Sequence, residues 1–197
     1  MEAMAYQRAR RPEQKEERRE AILAAARALA EEQRVREVSL GDIGRAVSLA
    51  KSNLLRYFES REEIFLTLLL REWEAWATAV TTADDLAPTL AARPFFCDLL
   101  GEQAAVLEHN VSADAVRVFR AATIALVEQV AARIDVPEAF EVVAAALLLA
   151  ASLYPLANPA PSVREAYAGT DLLQPDFEGR LGRLLERLIA GTDRASA

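Results

Sequence analysis

The stretch Ser39-Leu40-Gly41-Asp42-Ile43-Gly44-Arg45-Ala46, followed after Val47-Ser48-Leu49 by Ala50-Lys51-Ser52-Asn53-Leu54-Leu55-Arg56-Tyr57-Phe58, decides the fold. Ser39 precedes a helical pattern and Asp42 comes three residues later, a capping arrangement with Asp in place of Glu or Gln, so a short helix is expected over residues 39–46. Residues 47–49 break the pattern. Leu54, Leu55 and Phe58 then form the apolar set of a second short helix over residues 50–58, which carries Lys51, Ser52, Asn53, Arg56 and Tyr57 on its other faces. A capped helix, a three-residue turn and a helix bearing basic and amide side chains make a DNA-reading unit. The major groove, about 12 Å wide, admits one helix whose exposed side chains reach base edges while the preceding helix crosses the backbone.

In that unit Lys51 reaches a guanine edge or a phosphate, and Asn53 has the paired donor and acceptor that suit adenine. Arg56 and Tyr57 lie nearer the backbone, and Ser52 belongs to the same polar face. Ser39 at its cap and Arg61 at the start of the next helix offer a hydroxyl and a charge to phosphate. Taken singly, each charge would be an ordinary solvated side chain.

Working outward, Ile22, Ala25, Ala26, Leu29 and Ala30 recur at spacings of three and four and predict a first helix over residues 15–33. Residues 1–14 are basic and aperiodic with Pro12, and are expected to form a flexible arm. There Arg8, Arg10 and Arg11 either enter the minor groove or remain a disordered tail. Downstream, Ser60 with Glu62 and Glu63 caps a helix to about residue 80 that buries Ile64, Phe65, Leu68, Leu69, Trp73 and Trp76. Further helices are expected over residues 85–92, 94–108, 112–134, 137–158 (with Pro137 in its first turn) and 175–190, with a loop over 158–169. The chain thus reads as all-α, with about nine helices: an arm (1–14), a three-helix helix-turn-helix DNA-binding domain (15–60) and a larger effector-binding and dimerisation domain (61–197).

Composition supports this division. Hydrophobic residues make up 52% of the 197 but aromatics only 7%, which favours Ala- and Leu-rich helices. The formal charge of −7 is unevenly spread: residues 1–60 carry 12 Lys and Arg against 10 Asp and Glu, residues 61–197 carry 11 against 20. A mildly basic head on an acidic body suits a protein that touches phosphate at one end. One cysteine, Cys97, and one histidine, His109, give neither an intramolecular disulfide nor a metal-ligand spacing, and no metal or cofactor is expected. Nor do they make a catalytic dyad, and without a Gly-rich phosphate loop no enzyme is expected. Cys97 reads as a small buried hydrophobe and His109 as a helix C-terminal cap. The N terminus lacks the apolar core of a signal peptide, and the Ala-rich run 142–157, interrupted by Ser152 and Pro155, reads as a buried or interfacial helix; the expected setting is cytoplasmic, with no membrane.

Residues 18–65 resemble the DNA-binding domain of TetR/AcrR-type regulators, through Ile22-Leu23-x-Ala25-Ala26-x-x-Leu29, Ser39-Leu40-x-Asp42-Ile43 and Lys51-Ser52-Asn53-Leu54-Leu55-Arg56-Tyr57-Phe58-x-Ser60-Arg61-Glu62. The family's turn commonly reads Ala-Gly-Val-Ser where this chain has Val47-Ser48-Leu49-Ala50, so Ser48 replaces the turn glycine and Ala50 the helix-opening serine. Leu55 and Arg56 stand where an aromatic pair is common, and Tyr57 where histidine is frequent. The resemblance implies a homodimer on a near-palindromic double-stranded operator, with an interface from the last two long helices (about 137–158 and 175–190) and a small-molecule effector in the C-terminal domain that releases a repressor. Trp73, Trp76, Phe96, Phe119 and Tyr154, with Phe95 and Tyr167 beside them, are candidates for the effector pocket or for plain core. The alternative is a non-enzymatic helical ligand carrier or interaction module.

Overall fold

The computed structural model describes residues 2–170 and 176–195, with side chains described for 13–170 and 176–192. Among the described residues there are ten α-helices and no strand: α1 (Glu2–Glu32), α2 (Leu40–Ala46), α3 (Lys51–Leu54), α4 (Arg61–Ala79), α5 (Leu86–Ala91), α6 (Pro94–Glu102), α7 (Ala113–Ala131), α8 (Ala139–Ala157), α9 (Pro161–Ala166) and α10 (Phe177–Ala195). Helices α1 to α3 form the head. Helix α4 leads out of it, and α4 to α10 form the body.

Helix α4 ties the two together because its buried side runs from the head into the body, while Arg71, Glu74, Ala75 and Thr78 stay exposed. Ile64, Phe65, Leu69 and Trp76 are fully buried, each stabilising the fold by about 1.5–3 kcal/mol. Its start is capped by Ser60, whose hydroxyl accepts from the Glu63 amide, and Glu62 and Glu63 sit in the first turn. At its other end Arg133 donates to the carbonyls of Ala77 (2.5 Å) and Val80 (3.3 Å), satisfying groups that the helix leaves open. Helix α8 packs on α6, α7 and α10. Pro155 within α8 lacks the N–H that the Ala151 carbonyl would accept. That carbonyl lies against Gly101 at the end of α6, where a Cβ would approach it to 3.2 Å, so a glycine lets the two helices close up.

Several expected boundaries move. The basic segment expected as an arm continues α1, which runs unbroken from Glu2 through Pro12, consistent with the helix propensity of its Ala, Glu, Gln and Arg residues; the placing of Arg8, Arg10 and Arg11 in a minor groove lies outside the described side chains. The second short helix was expected to span residues 50–58, but α3 stops at Leu54 and the chain continues in tight turns, Tyr57 N–H donating to Leu54 O (2.8 Å). Pro137 does not open α8, which begins at Ala139 after Glu138 turns left-handed (φ 50°). The loop expected over 158–169 contains α9, started by Pro161 at a helix-opening position. The final helix was expected from residue 175, which lies outside the described residues.

Candidate nucleic-acid interface and its link to the body

The turn between α2 and α3 is tight for a reason visible in two residues. Leu49 N–H donates to Gly44 O at 2.8 Å, and a Cβ on Gly44 would sit 2.7 Å from Leu49 O, so the close approach needs glycine. Ser48 takes φ 55°, the left-handed region that L side chains disfavour by about 1–2 kcal/mol. In the family that the sequence resembles, a glycine commonly occupies that position.

The start of helix α2 is capped reciprocally: the Ser39 hydroxyl accepts from Asp42 N–H (3.1 Å) while the Asp42 carboxylate accepts from Ser39 N–H (2.8 Å) and from its hydroxyl (2.5 Å). These bonds, the hydroxyl's foremost, hold the Asp42 carboxyl below the usual carboxylate range. Leu54 and Phe58 turn inward and are buried, so Lys51, Ser52, Asn53 and Arg56 stand exposed on the outer side of α3 and the turn after it, with Tyr57 half-buried. Leu55, expected in the apolar set, is exposed among them. Lys15 and Gln14 of α1 border the same depression as Arg56 and Tyr57. Lys15 had no signal in the short-helix pattern, since α1 is far from α3 in sequence.

Arg61 is placed differently from the phosphate contact expected of it. Its guanidinium donates to the carbonyls of Val38 and Val35, pairs with Glu62 and covers the Phe65 ring at 4.9 Å. It fastens α4 to the segment before α2. Arg19 does a similar task from α1, donating to Tyr57 O and lying 4.0 Å from the Phe58 ring centroid, which steadies the turns after α3.

Other head arginines reach into the body. Arg34 and Arg36, between α1 and α2, meet two carboxylates one turn apart on α6. Arg34 pairs with Asp98, its Nε donating at 2.5 Å, and Arg36 pairs with Glu102 at 2.6 Å. Asp98 also accepts from the buried Val35 N–H at 2.8 Å. Arg27 of α1 pairs with Glu72 of α4, which Arg93 approaches to 3.8 Å. All three carboxylates are buried, Asp98 to 5% exposure, and each is matched by an arginine, the condition under which buried charge is tolerable. The positive balance of the head is therefore spent partly on its own attachment.

On its other side α6 borders a cleft of about 290 Å³ shared with α4, α7 and α8, lined by Trp73, Leu100, Gln103, Thr123, Val127, Leu147 and their neighbours. Of the five pocket candidates only Trp73 lines this cleft. Trp76 and Phe96 are fully buried and meet Trp73 edge-on at centroid distances of 5.8–6.0 Å, and Phe119 is buried core. Tyr154 sits apart, edge-on to Phe177 and beneath Arg34. Cys97 is buried, its thiol donating to Leu90 O (3.3 Å), and burial pushes its pKa up to about 12. Among the described residues no cluster of His, Cys, Asp and Glu could hold a metal ion.

Comparison with known proteins places this geometry. A family model for bacterial regulatory proteins of the tetR family matches residues 22–68, and one for the tetracyclin repressor-like C-terminal domain matches residues 65–195. No curated protein matches the chain. Among solved structures, one titled Flavonoid-responsive Regulator FrrA aligns with 86% of this chain and 95% of that one, at 18% identity and a TM-score of 0.38. Since the C-terminal match alone spans more than half of the sequence, and the N-terminal one covers α2, α3 and the turn between them, the chain belongs to the TetR family of DNA-binding transcriptional regulators.

Proposed function

We propose that the protein is a cytoplasmic homodimeric repressor that leaves a near-palindromic operator when a small molecule occupies the cleft beside α6. The observation that carries the reading is the shared position of α6. One face holds Asp98 and Glu102, which grip the head through Arg34 and Arg36; Leu100, between them in sequence, lines the cleft with Gln103 of the following turn. A ligand that shifts α6 by a fraction of a turn would shift the anchorage of the head. It acts only through its different affinities for the two arrangements, so a tenfold loss of operator affinity needs about 1.4 kcal/mol of coupling.

In this reading Lys51, Ser52 and Asn53 face base edges, while Arg56, Tyr57 and Ser39 face the phosphate backbone, joined by Lys15. Arg61 acts indirectly, by positioning the head. Dimerisation is supported by the exposed side of α8, where Leu156 is 61% exposed and Leu148, which also borders the cleft, 71%. Helix α10 contributes less apolar surface than its sequence suggested, because Phe177, Leu181 and Leu185 are already buried within the chain and α10 packs on α5 and α8. A helix with the length and apolarity of α8 also meets the formal requirement for a membrane span, yet Val142, Val143, Ala146 and Ala150 pack inside the protein.

Two substitutions test the reading. Replacing Lys51 and Arg56 together with alanine should abolish binding to duplexes recovered from genomic DNA while leaving the dimer intact by sedimentation. Unchanged retention in a gel-shift assay would favour a helical interaction module instead. For the switch, operator affinity that stays constant for every ligand shown to bind the body would refute release.

A further inference from the structure

The cleft beside α6 has a chemical preference of its own. Its polar rim is already committed: Glu108 accepts from the Gln103 amide (2.9 Å) through one oxygen and from Arg120 (2.7 Å) through the other, and the Thr123 hydroxyl donates to Arg120 O (3.1 Å). Arg120 is thereby neutralised by Glu108, so the rim presents no uncommitted charge. Apart from these groups the lining is aliphatic and aromatic, Leu100, Val127, Phe140 and Leu147 among it.

One donor is left over. The indole N–H of Trp73 is buried and has no hydrogen-bond partner among the described residues, while that of Trp76, one turn further along α4, donates to Thr89 Oγ1 at 3.0 Å. Trp73 is 5% exposed and lines the cleft. A buried donor without an acceptor is disfavoured, and an acceptor brought in by a ligand relieves that cost as well as forming a bond. The segment Gln103–Leu107 on the adjoining wall is a π-helical turn, a geometry that recurs at functional sites.

Resting on the effector reading above, we propose that the cleft selects a small uncharged molecule, largely apolar, whose carbonyl or ether oxygen accepts the Trp73 indole N–H once the ring turns that solvent-shielded edge toward the cleft. The volume of about 290 Å³ lies at the small end of ligand pockets, which suits a compact ligand. An anionic ligand would meet the Glu108 carboxylate beside Arg120, and a cationic one would find that carboxylate already paired.

The test uses the full-length protein without DNA, so it is independent of whether occupancy releases the operator. Benzophenone, its hydrocarbon counterpart diphenylmethane and the anion diphenylacetate are titrated by calorimetry. Benzophenone should bind about tenfold more tightly than diphenylmethane, equivalent to about 1.4 kcal/mol, with diphenylacetate weakest. Trp73→Phe should erase the preference for the ketone while retaining hydrocarbon binding. A measurement on the unaltered protein guards against a folding defect in that variant: of the two indole N–H resonances, the one not bonded to Thr89 should move downfield with benzophenone. Equal affinity for ketone and hydrocarbon, tighter binding of the anion, or an unmoved indole resonance would each overturn the proposal. So would a Trp73→Phe protein that keeps the ketone preference but dimerises more weakly, since the indole would then serve the partner subunit.

Discussion

Replacing Asp98 with alanine should cost far more than a typical surface charge, because of what the carboxylate leaves behind. One oxygen accepts from Val35 N–H at 2.8 Å, and Val35 is fully buried, so its amide would lose its only acceptor where water does not reach. A stranded buried amide costs about 1–3 kcal/mol, and the charge-assisted bonds from Arg34 contribute about 1.5–3 kcal/mol. Arg34 keeps about a third of its side chain in solvent and recovers part of that by hydration. The sum should fall near 3 kcal/mol, at the lower end of the range for breaking a buried pair. For a chain of this length each kcal/mol lowers Tm by about 2–4 °C, so calorimetry at fixed protein concentration should show a fall of about 6–12 °C. Asp98→Asn, which keeps an acceptor for Val35, should lose roughly half as much, and the Arg34→Ala, Asp98→Ala double-mutant cycle should report a coupling above about 1 kcal/mol. A loss for Asp98→Ala below about 1 kcal/mol in urea denaturation would refute the claim that α6 holds the head.

Relieving the left-handed backbone at Ser48 with glycine should raise stability by about 1 kcal/mol, whereas Gly44→Ala, which forces a Cβ toward Leu49 O, should lower it by about 1–3 kcal/mol; urea midpoints of both variants check the pair. Arg61→Ala should shift the thermal midpoint downward while leaving the salt slope of DNA binding as it was, because its guanidinium is bonded to Val35 and Val38 carbonyls; a slope reduced by one unit with unchanged Tm would restore it as a phosphate contact. Cys97, with its thiol pKa raised to about 12, should resist a disulfide reagent at pH 8 until the protein is unfolded. The direction of that shift also sets a pH effect: the unfolded thiol ionises first, so this contribution to stability is present below about pH 9 and is lost as pH rises through about 12.

The reading head was legible because its signals are local. The Ser39–Asp42 cap, the inward Leu54 and Phe58 and the outward Lys51, Asn53 and Arg56 all depend on neighbours within a few residues. Leu55 shows the limit: its hydrophobicity suggested burial, yet α3 is too short for a full apolar stripe, and it ends in solvent. Arg61 shows a second limit. A cation at the start of a helix resembles a phosphate contact, but the carbonyls it serves lie more than 20 residues earlier, a distance that spacing cannot reveal. Asp98 and Glu102 were equally hidden, since an i,i+4 acidic pair on a helix reads as a solvated face until the fold brings Arg34 and Arg36 to it. Of the aromatic pocket candidates only Trp73 lines the cleft; Trp76 and Phe96 pack with it in the core, Phe119 is buried elsewhere and Tyr154 meets Phe177.

The central claim is that the exposed side of α3 meets the phosphates and bases of a duplex. It is tested most directly by the salt dependence of affinity for duplexes selected from genomic DNA, measured by fluorescence anisotropy for the unaltered protein and for Lys51→Ala. A steep linear fall of log affinity with log salt is expected, with a slope smaller by about one unit in the variant. A flat salt dependence, or identical slopes and affinities for the two proteins, would contradict it.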